Sequence, residues 1–309
     1  MREALVRLSS ECALKPTPGP GGGRSLAAAA VQKGYETIVA AGGDGTVNEV
    51  LNGIGDVPDG FARARLGVLP FGTVNVFALE CCLPARFSAA WEIICQGKER
   101  RIDIPRVEIQ EMGEGKREKG KNLEVNAASE GKRRGLSNEG SPGQRQHRYF
   151  IQMAGAGFDA QAVEVIDRRL KRKLGYFAYA VAVLKALRKR HPPITVTLDS
   201  GQTATGEMIL LGNGCFYGGR HTFFPHARFD DGLLEVCVFS HIDWKFMLGG
   251  LQGMLLRRKP PYGKVQFYRA SSLQLTSPSA APMQVDGEYL GRLPAMVTIV
   301  HKALRVIVP

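Results

Sequence analysis

Two glycine-bearing turns in this chain carry residue types suited to holding phosphate. Gly42-Gly43-Asp44-Gly45-Thr46 lies where a short apolar strand pattern, Thr37–Ala40, gives way to a helical one. Glycines let the main chain close on a ligand, and a helix N-terminus adds free N–H groups and positive potential, so the stretch reads as a phosphate site. Asn48 and Glu49 complete it, and Thr46 with Glu49 has the T-x-x-E spacing of a capping box. The plainer alternative is a strand–helix turn that needs glycine for its own conformation. Other phosphate motifs fail: a GxGxxG from Gly43 would need glycine where Asn48 stands, GxxxxGK[ST] does not occur, and neither do HRD and DFG. Some thirty residues later comes Leu69-Pro70-Phe71-Gly72-Thr73-Val74-Asn75, whose Thr73 and Asn75 are able to donate to phosphate or ribose. Adjacent parallel strands would bring both turns to the same carboxyl edge of a sheet.

Carboxylates recur in two places. Asp286 and Glu288 flank Gly287; taken alone, Asp-Gly is the signature of a two-residue hairpin turn. Asp230 and Asp231 precede Gly232 and an apolar strand, a pattern suited to a hard cation such as Mg²⁺ or Ca²⁺, or to a turn with solvated acids. The six histidines have no zinc-like spacing.

The elements that must position these residues fall into two groups. Over the first hundred residues strand–turn–helix units repeat: a helix at Ser25–Lys33, strands at Thr37–Ala40 and Leu66–Leu69, an apolar helical face of Val47, Val50, Leu51 and Ile54, a helix from the Gly72 turn to Pro84 and another at Phe87–Gln96. That alternation implies a parallel sheet flanked by helices. From Arg101 onward short alternating stretches dominate: Arg101–Gln110, Tyr149–Met153, Ile194–Leu198, Glu207–Leu211, Leu233–Phe239, Val265–Tyr268, Leu273–Thr276, Met296–Val300 and Leu304–Val308. Helical stretches interrupt them at Asp159–Arg190 and Asp243–Arg258. The expected organisation is an α/β domain over 1–100 and a β-rich domain over 101–309, with a disordered polar insertion at 113–148.

Net charge is +12, of which the insertion, with nine Lys/Arg and five Asp/Glu, supplies +4. A basic surface favours nucleotides, nucleic acid or an anionic membrane, and no RRM, KH or zinc-finger pattern supports nucleic acid. Nine Lys/Arg and no Asp/Glu lie between Arg168 and Arg190 around LGYFAYAVAVL, the pattern of a basic amphipathic helix resting on an anionic leaflet, or of a half-buried helix with a solvated face. The six cysteines form no CxxC and read as buried free thiols in a reducing cytosol. No apolar run is long enough to span a bilayer and residues 1–15 do not form a signal peptide, so a cytoplasmic protein associating peripherally with membrane is expected.

Four motifs in order resemble the diacylglycerol kinase catalytic-domain family, which includes bacterial soluble lipid kinases and the sphingosine and ceramide kinases: GGDGTVNEVLNGI at Gly42–Ile54, LPFGTVNVFA at Leu69–Ala78, FPHARFDDGLLEV at Phe224–Val236 and VDGEYL at Val285–Leu290. The resemblance implies a Rossmann-like α/β domain, similar to that of NAD kinases and phosphofructokinases, then a β-sandwich, with the active site between them and the chain's end returning toward the first domain. It implies transfer of the γ-phosphate of ATP, with Mg²⁺, to a hydroxyl of a membrane lipid. By the same resemblance Thr17, Gly42, Gly43, Asp44, Gly45, Thr46, Gly72, Thr73 and Asn75 belong to the nucleotide site, Asp44 organising Mg²⁺-bound water. Asp286 is then the general base and Glu288 its acidic neighbour. Asp231 with the carbonyls of Arg228 and Leu233 is a structural Mg²⁺ site. A homodimer is compatible with the sequence.

The chain departs from the family twice. Members open with a strand carrying an N-P-x-x-G-like turn, whereas Met1–Cys12 aligns with the helix after it, so an upstream start is expected. Members often read G-T-x-N-D in the second loop, where this chain has Val76, so the acceptor headgroup does not carry over. A nucleotide or lipid sensor without catalysis and a soluble-substrate kinase of the NAD kinase type remain as alternatives.

Overall fold

The computed structural model describes residues 12–109, 146–165, 191–242 and 265–309. The expectations for residues 1–11, 113–145 and 166–190, and the helix expected over Asp243–Arg258, lie outside the described residues.

Helix α1 (Gly22–Gln32) buries Ala27 and Val31. Strands β1 (Thr37–Gly42) and β2 (Arg65–Pro70) pair in parallel from Thr37↔Arg65 to Gly42↔Pro70. Between them runs α2 (Asp44–Gly55), burying Val47, Val50, Leu51 and Ile54 as its spacing predicts. A parallel pair needs such a crossover, and it sets the turns after β1 and β2 side by side at one sheet edge. Two short helices follow, α3 (Gly60–Arg63) and α4 (Val76–Glu80), then α5 (Phe87–Gln96) over the expected range. Helix α4 stops well short of the expected end: Cys82 turns to φ 56° and Pro84 bars further helix.

The second half is strand-rich. Strands β3 (Lys98–Ile109) and β4 (Gln146–Tyr149) are antiparallel neighbours. After β5 (Met153–Gly157) comes α6 (Phe158–Val165). Then follow β6 (Ile194–Leu198), β7 (Thr203–Gly206) and β8 (Met208–Gly212). A small hairpin joins β9 (Phe216–Tyr217) to β10 (His221–Thr222). The remaining strands are β11 (Leu234–Phe239), β12 (Val265–Ala270), β13 (Ser272–Thr276), β14 (Pro282–Val285), β15 (Glu288–Arg292) and β16 (Ala295–Val308).

An eight-stranded sheet has the path β1-β2-β16-β13-β6-β7 with β3 and β4 added at β16, and a six-stranded sheet has the order β12-β11-β8-β5-β14-β15. Their facing surfaces enclose a core that includes Phe150, Val196, Leu211, Val236, Leu273, Met283 and Val297. The two stretches expected at Met296–Val300 and Leu304–Val308 are one strand, kinked by a register shift where Lys302 takes φ 48°. That strand lies antiparallel to β3 and also meets β2 in parallel at Arg305↔Arg65. The first sheet therefore passes unbroken from the α/β half into the sandwich, and the boundary expected near Arg101 falls inside β3. Gln146, His147 and Arg148, assigned by composition to the insertion, are part of β4.

The six cysteines are free, but only Cys81 and Cys237 are buried; Cys12, Cys82 and Cys95 are exposed, against the expectation of buried thiols. No helix among the described residues is long and apolar enough to cross a membrane.

Candidate active site

The two glycine turns meet at the carboxyl edge of β1 and β2, where the Phe71 N–H donates to the Gly42 carbonyl (3.0 Å). A Cβ on Gly43 would lie 3.1 Å from the Gly72 Cα, and one on Gly72 would lie 2.5 Å from the Gly43 Cα and 2.6 Å from Asn75 Oδ1. These two glycines are required because the loops pack main chain on main chain. The side chain of Thr46 covers Gly42 in the same way. Only at Gly45 would a Cβ meet nothing within 4 Å, so the open face of the loop is there, on the first turn of α2. The first N–H groups of a helix lack the carbonyl of a preceding turn, and here the Thr46 and Val47 N–H groups share the Gly43 carbonyl.

The helix starts at Asp44 with Gly43 as its N-cap, which overturns the capping box: Thr46 already lies inside the helix, and no side chain caps it. Glu49 instead reaches back to α1, accepting from the N–H of Gly21 (2.7 Å) and of Gly23 (2.8 Å). Its carboxylate thus holds the start of α1. Thr17 is exposed, a few residues ahead of that anchored turn.

Asp44 spans from the first loop to the second. Its two carboxylate oxygens accept the N–H groups of Val76 and Phe77, each at 3.1 Å, and so cap α4 from outside. Asn75, left-handed at φ 56°, spends its amide on its own loop, accepting from the Gly72 N–H and donating to the Gly72 carbonyl, both at 2.8 Å. Thr73 is exposed beside it. The side chains of Asp44 and Asn75 therefore shape the paired loops, while Gly45 and Thr73 face outward.

Asp286 comes from the far end of the sequence. It and Gly287 form a two-residue hairpin turn between β14 and β15, with φ of 46° and 78°, so the hairpin expected of Asp-Gly is present. The turn also delivers a carboxylate into the junction between the two halves. Oδ1 accepts from the N–H of Gln152 (2.9 Å) and Met153 (3.0 Å); Oδ2 accepts from the Ile151 N–H (2.8 Å) and Asn48 Nδ2 (2.7 Å). Here the strand expected over Tyr149–Met153 breaks: β4 ends at Tyr149, β5 starts at Met153, and between them the Phe150 N–H donates to the Pro105 carbonyl while those of Ile151 and Gln152 turn to the carboxylate. Burial pushes the Asp286 carboxyl pKa up, and the four donors oppose it without cancelling it.

Asn48 is what links this carboxylate to the glycine loop. It is fully buried on α2, four residues and so about 6 Å of helix from Asp44. One turn further, Asn52 donates to the Tyr149 carbonyl (3.0 Å) and accepts the Tyr149 N–H (2.9 Å). Arg148 completes the group: its Nη2 donates to Glu288 Oε2 (2.9 Å) and lies 3.3 Å from Asn48 Oδ1. The sequence reading missed Arg148, Asn52 and the 151–153 main chain. The signal for Arg148 was its place next to the apolar stretch YFIQM, which a boundary set by composition hid.

The acidic pair at 230–231 is elsewhere. Asp231 accepts the Leu233 N–H (3.1 Å) and forms an ion pair with Arg269; Asp230 pairs with Arg100 (2.9 Å). Buried Asp103 holds the same loop, accepting from the N–H of Gly232 and of Lys302, each at 2.6 Å. A guanidinium thus pairs with one oxygen of the carboxylate implied as a ligand together with the carbonyls of Arg228 and Leu233. The described residues contain no cluster of three or more His, Cys, Asp or Glu placed to hold a metal.

Comparison with known proteins matches residues 1–107 to the diacylglycerol kinase catalytic domain and residues 152–308 to the YegS C-terminal NAD kinase beta sandwich-like domain. A diacylglycerol kinase of Staphylococcus carnosus is 29% identical over 91% of this chain and 79% of its own length. One of Staphylococcus saprophyticus is 27% identical over 99% of this chain and 89% of its own. The crystal structure of a diacylglycerol kinase from Bacillus anthracis superposes with a TM-score of 0.64 over 99% of this chain and 88% of that one, at 17% identity, which speaks to the fold.

Proposed function

The chain belongs to the family that joins a diacylglycerol kinase catalytic domain to a YegS C-terminal NAD kinase beta sandwich-like domain, and on that premise we propose that it moves the γ-phosphate of ATP to the hydroxyl of a membrane lipid of the diacylglycerol class. The observation that carries the reading is the bond between Asn48 and Asp286, which sets a carboxylate from the sandwich one helical turn from the glycine loop. Phosphoryl transfer asks for positioning and charge neutralisation more than for covalent help.

In this reading the open face at Gly45 and the start of α2 hold the terminal phosphates, and Asp44, with lone pairs left over from α4, faces the same loop pair. Mg²⁺, when bound with the nucleotide, supplies charge neutralisation. The lipid hydroxyl oxygen forms the new bond to phosphorus as the bridging oxygen leaves with ADP, and Asp286 takes the hydroxyl proton. Every acceptor position of that carboxylate already has a donor, so one must give way. Asn48 Nδ2 is the side-chain donor among them, the other three being main-chain N–H groups. Arg148, paired with Glu288 beside Asn48, offers a guanidinium to the transferred group. The basic stretch Arg168–Arg190 provides, by composition, the attraction to an anionic leaflet.

Labelled ATP, Mg²⁺ and a panel of lipids in mixed micelles test the proposal. The wild-type chain is expected to label at least one lipid, and Asp286→Asn to lower kcat by about 10²–10⁴ with nucleotide binding retained. ATP binding without transfer to any acceptor would support a sensor, and transfer to NAD a soluble-substrate kinase.

A further inference from the structure

We propose that Glu80 is a positioning residue for Asp286, acting through Gln152 across the junction between the two halves. Glu80 is the last residue of α4, the helix whose first turn is capped by Asp44. Its Oε1 accepts the Cys215 N–H (3.0 Å), and its Oε2 accepts the Phe216 N–H (3.3 Å) and Gln152 Nε2 (3.1 Å). Gln152 is buried and held by its side-chain NH₂ group and both main-chain groups. Its Nε2 also donates to the Phe216 carbonyl (3.0 Å), its own carbonyl accepts from Asn213 (2.9 Å) and Gly214 (3.2 Å), and its N–H donates to Asp286 Oδ1 (2.9 Å). A Cβ on Gly214 would sit 2.8 Å from the Gln152 amide carbon, so the 213–216 segment is pressed against that side chain.

Helix α4 is therefore a strut with a carboxylate engaged at each end. Asp44 binds its start from the nucleotide loop, and Glu80 at its finish grips the residue that donates to Asp286. Five residues of helix span about 7.5 Å, too short to bend, so the position of one loop is passed to the other. Gln152 Oε1 is buried without a partner among the described residues. The orientation of its amide is then fixed by the acceptors around Nε2, and Glu80 is the charged one. Charge-assisted bonds are the stronger kind and impose geometry as well as energy.

The inference deepens the proposed function, so one readout must not depend on turnover. The Asp286 carboxyl is titrated by ¹³C NMR, assigned with Asp286→Asn, in wild type, Glu80→Gln and Gln152→Ala. Glu80→Gln keeps the size but leaves one acceptor oxygen for three donors and removes the charge from the bond to Gln152, so whichever way its amide turns an NH₂ group meets a donor. Loosening the Gln152 N–H removes a donor to the ionised form, so the Asp286 pKa is expected to rise by about half a unit or more in both variants. On the lipid that the wild type phosphorylates, kcat is expected to fall about 10- to 100-fold with the KM for ATP unchanged, and the double variant to fall no further than either single. An unmoved Asp286 titration in both variants, or losses in kcat that multiply, would overturn the proposal. If the wild type labels no lipid, the kinase reading fails while the titration still decides this one.

Discussion

Burial raises the pKa of Asp286 although four N–H donors favour its ionised form. Glu235 has fewer donors. It is buried on β11, accepts one N–H from His226 (2.8 Å), and its Oε1 has no partner among the described residues. Burial raises its pKa, so the native state binds that proton more tightly than the unfolded chain does. Stability owed to this group therefore declines as pH rises from the ordinary glutamate value through the raised one. Thermal unfolding should show the difference in Tm, Glu235→Gln minus wild type, becoming more positive between pH 5 and pH 8; a constant difference would assign the carboxyl an ordinary pKa. Arg148→Ala should leave the fold intact and lower kcat by about tenfold or more, because it removes a charged donor beside Asn48 and leaves Glu288 unpaired. Steady-state kinetics at saturating ATP reads this. At this scale the sequence disclosed residues whose type announces a role, such as Asp286 and the glycines. It was silent on the main-chain donors of Ile151, Gln152 and Met153, because an N–H group has no side-chain signature. It also misassigned Glu49, whose spacing from Thr46 fits a cap that the helix start at Asp44 makes impossible.

The glycine turns show how an element differs from its motif. In sequence all the glycines of the first loop look alike; in the fold Gly43 and Gly72 are packed against each other and Gly45 is open. Gly72→Ala forces a methyl group against the Gly43 Cα and Asn75 Oδ1, an overpacking that costs about 1–3 kcal/mol and should appear as a lower midpoint in urea. Gly45→Ala should leave that midpoint nearly unchanged and weaken ATP binding, since its methyl projects into the face where phosphate is placed. Equal loss of stability in the two variants would contradict this division. Elements with a strong period, α2 and α5 above all, were legible because their apolar spacing suffices. The break between β4 and β5 was not, since Tyr149–Met153 alternates as one strand should and it takes the Asp286 carboxylate, more than 130 residues away in sequence, to pull the N–H groups out of the ladder. Likewise the two stretches that merge into β16 look separate only because His301, Lys302 and Ala303 interrupt the alternation at the kink.

The molecule as a whole is joined by that strand. Nothing in the sequence pattern ties residues 295–308 to the first hundred, yet β2 pairs with β16 on the side away from β1, and the ends of β3 and β16 pack Ile102, Leu304 and Val306 into the same core as Leu51, Ile54 and Leu66. A fragment of residues 1–100 would lose those partners and expose one side of β2 together with part of its core, so it is expected to remain unfolded when expressed alone. The full chain should unfold in one cooperative step, with Trp fluorescence and far-UV circular dichroism coinciding. Asn52 tests the coupling directly. It is fully buried on α2 and satisfies both main-chain groups of Tyr149 on β4. Asn52→Ala takes the partner from the Tyr149 N–H and leaves its carbonyl only the longer bond from Asn48 Nδ2 (3.4 Å), at about 1–3 kcal/mol in all. If the halves were independent, only one of two transitions would move; because they share a sheet, the single transition is expected to shift as a whole, with its slope in denaturant preserved.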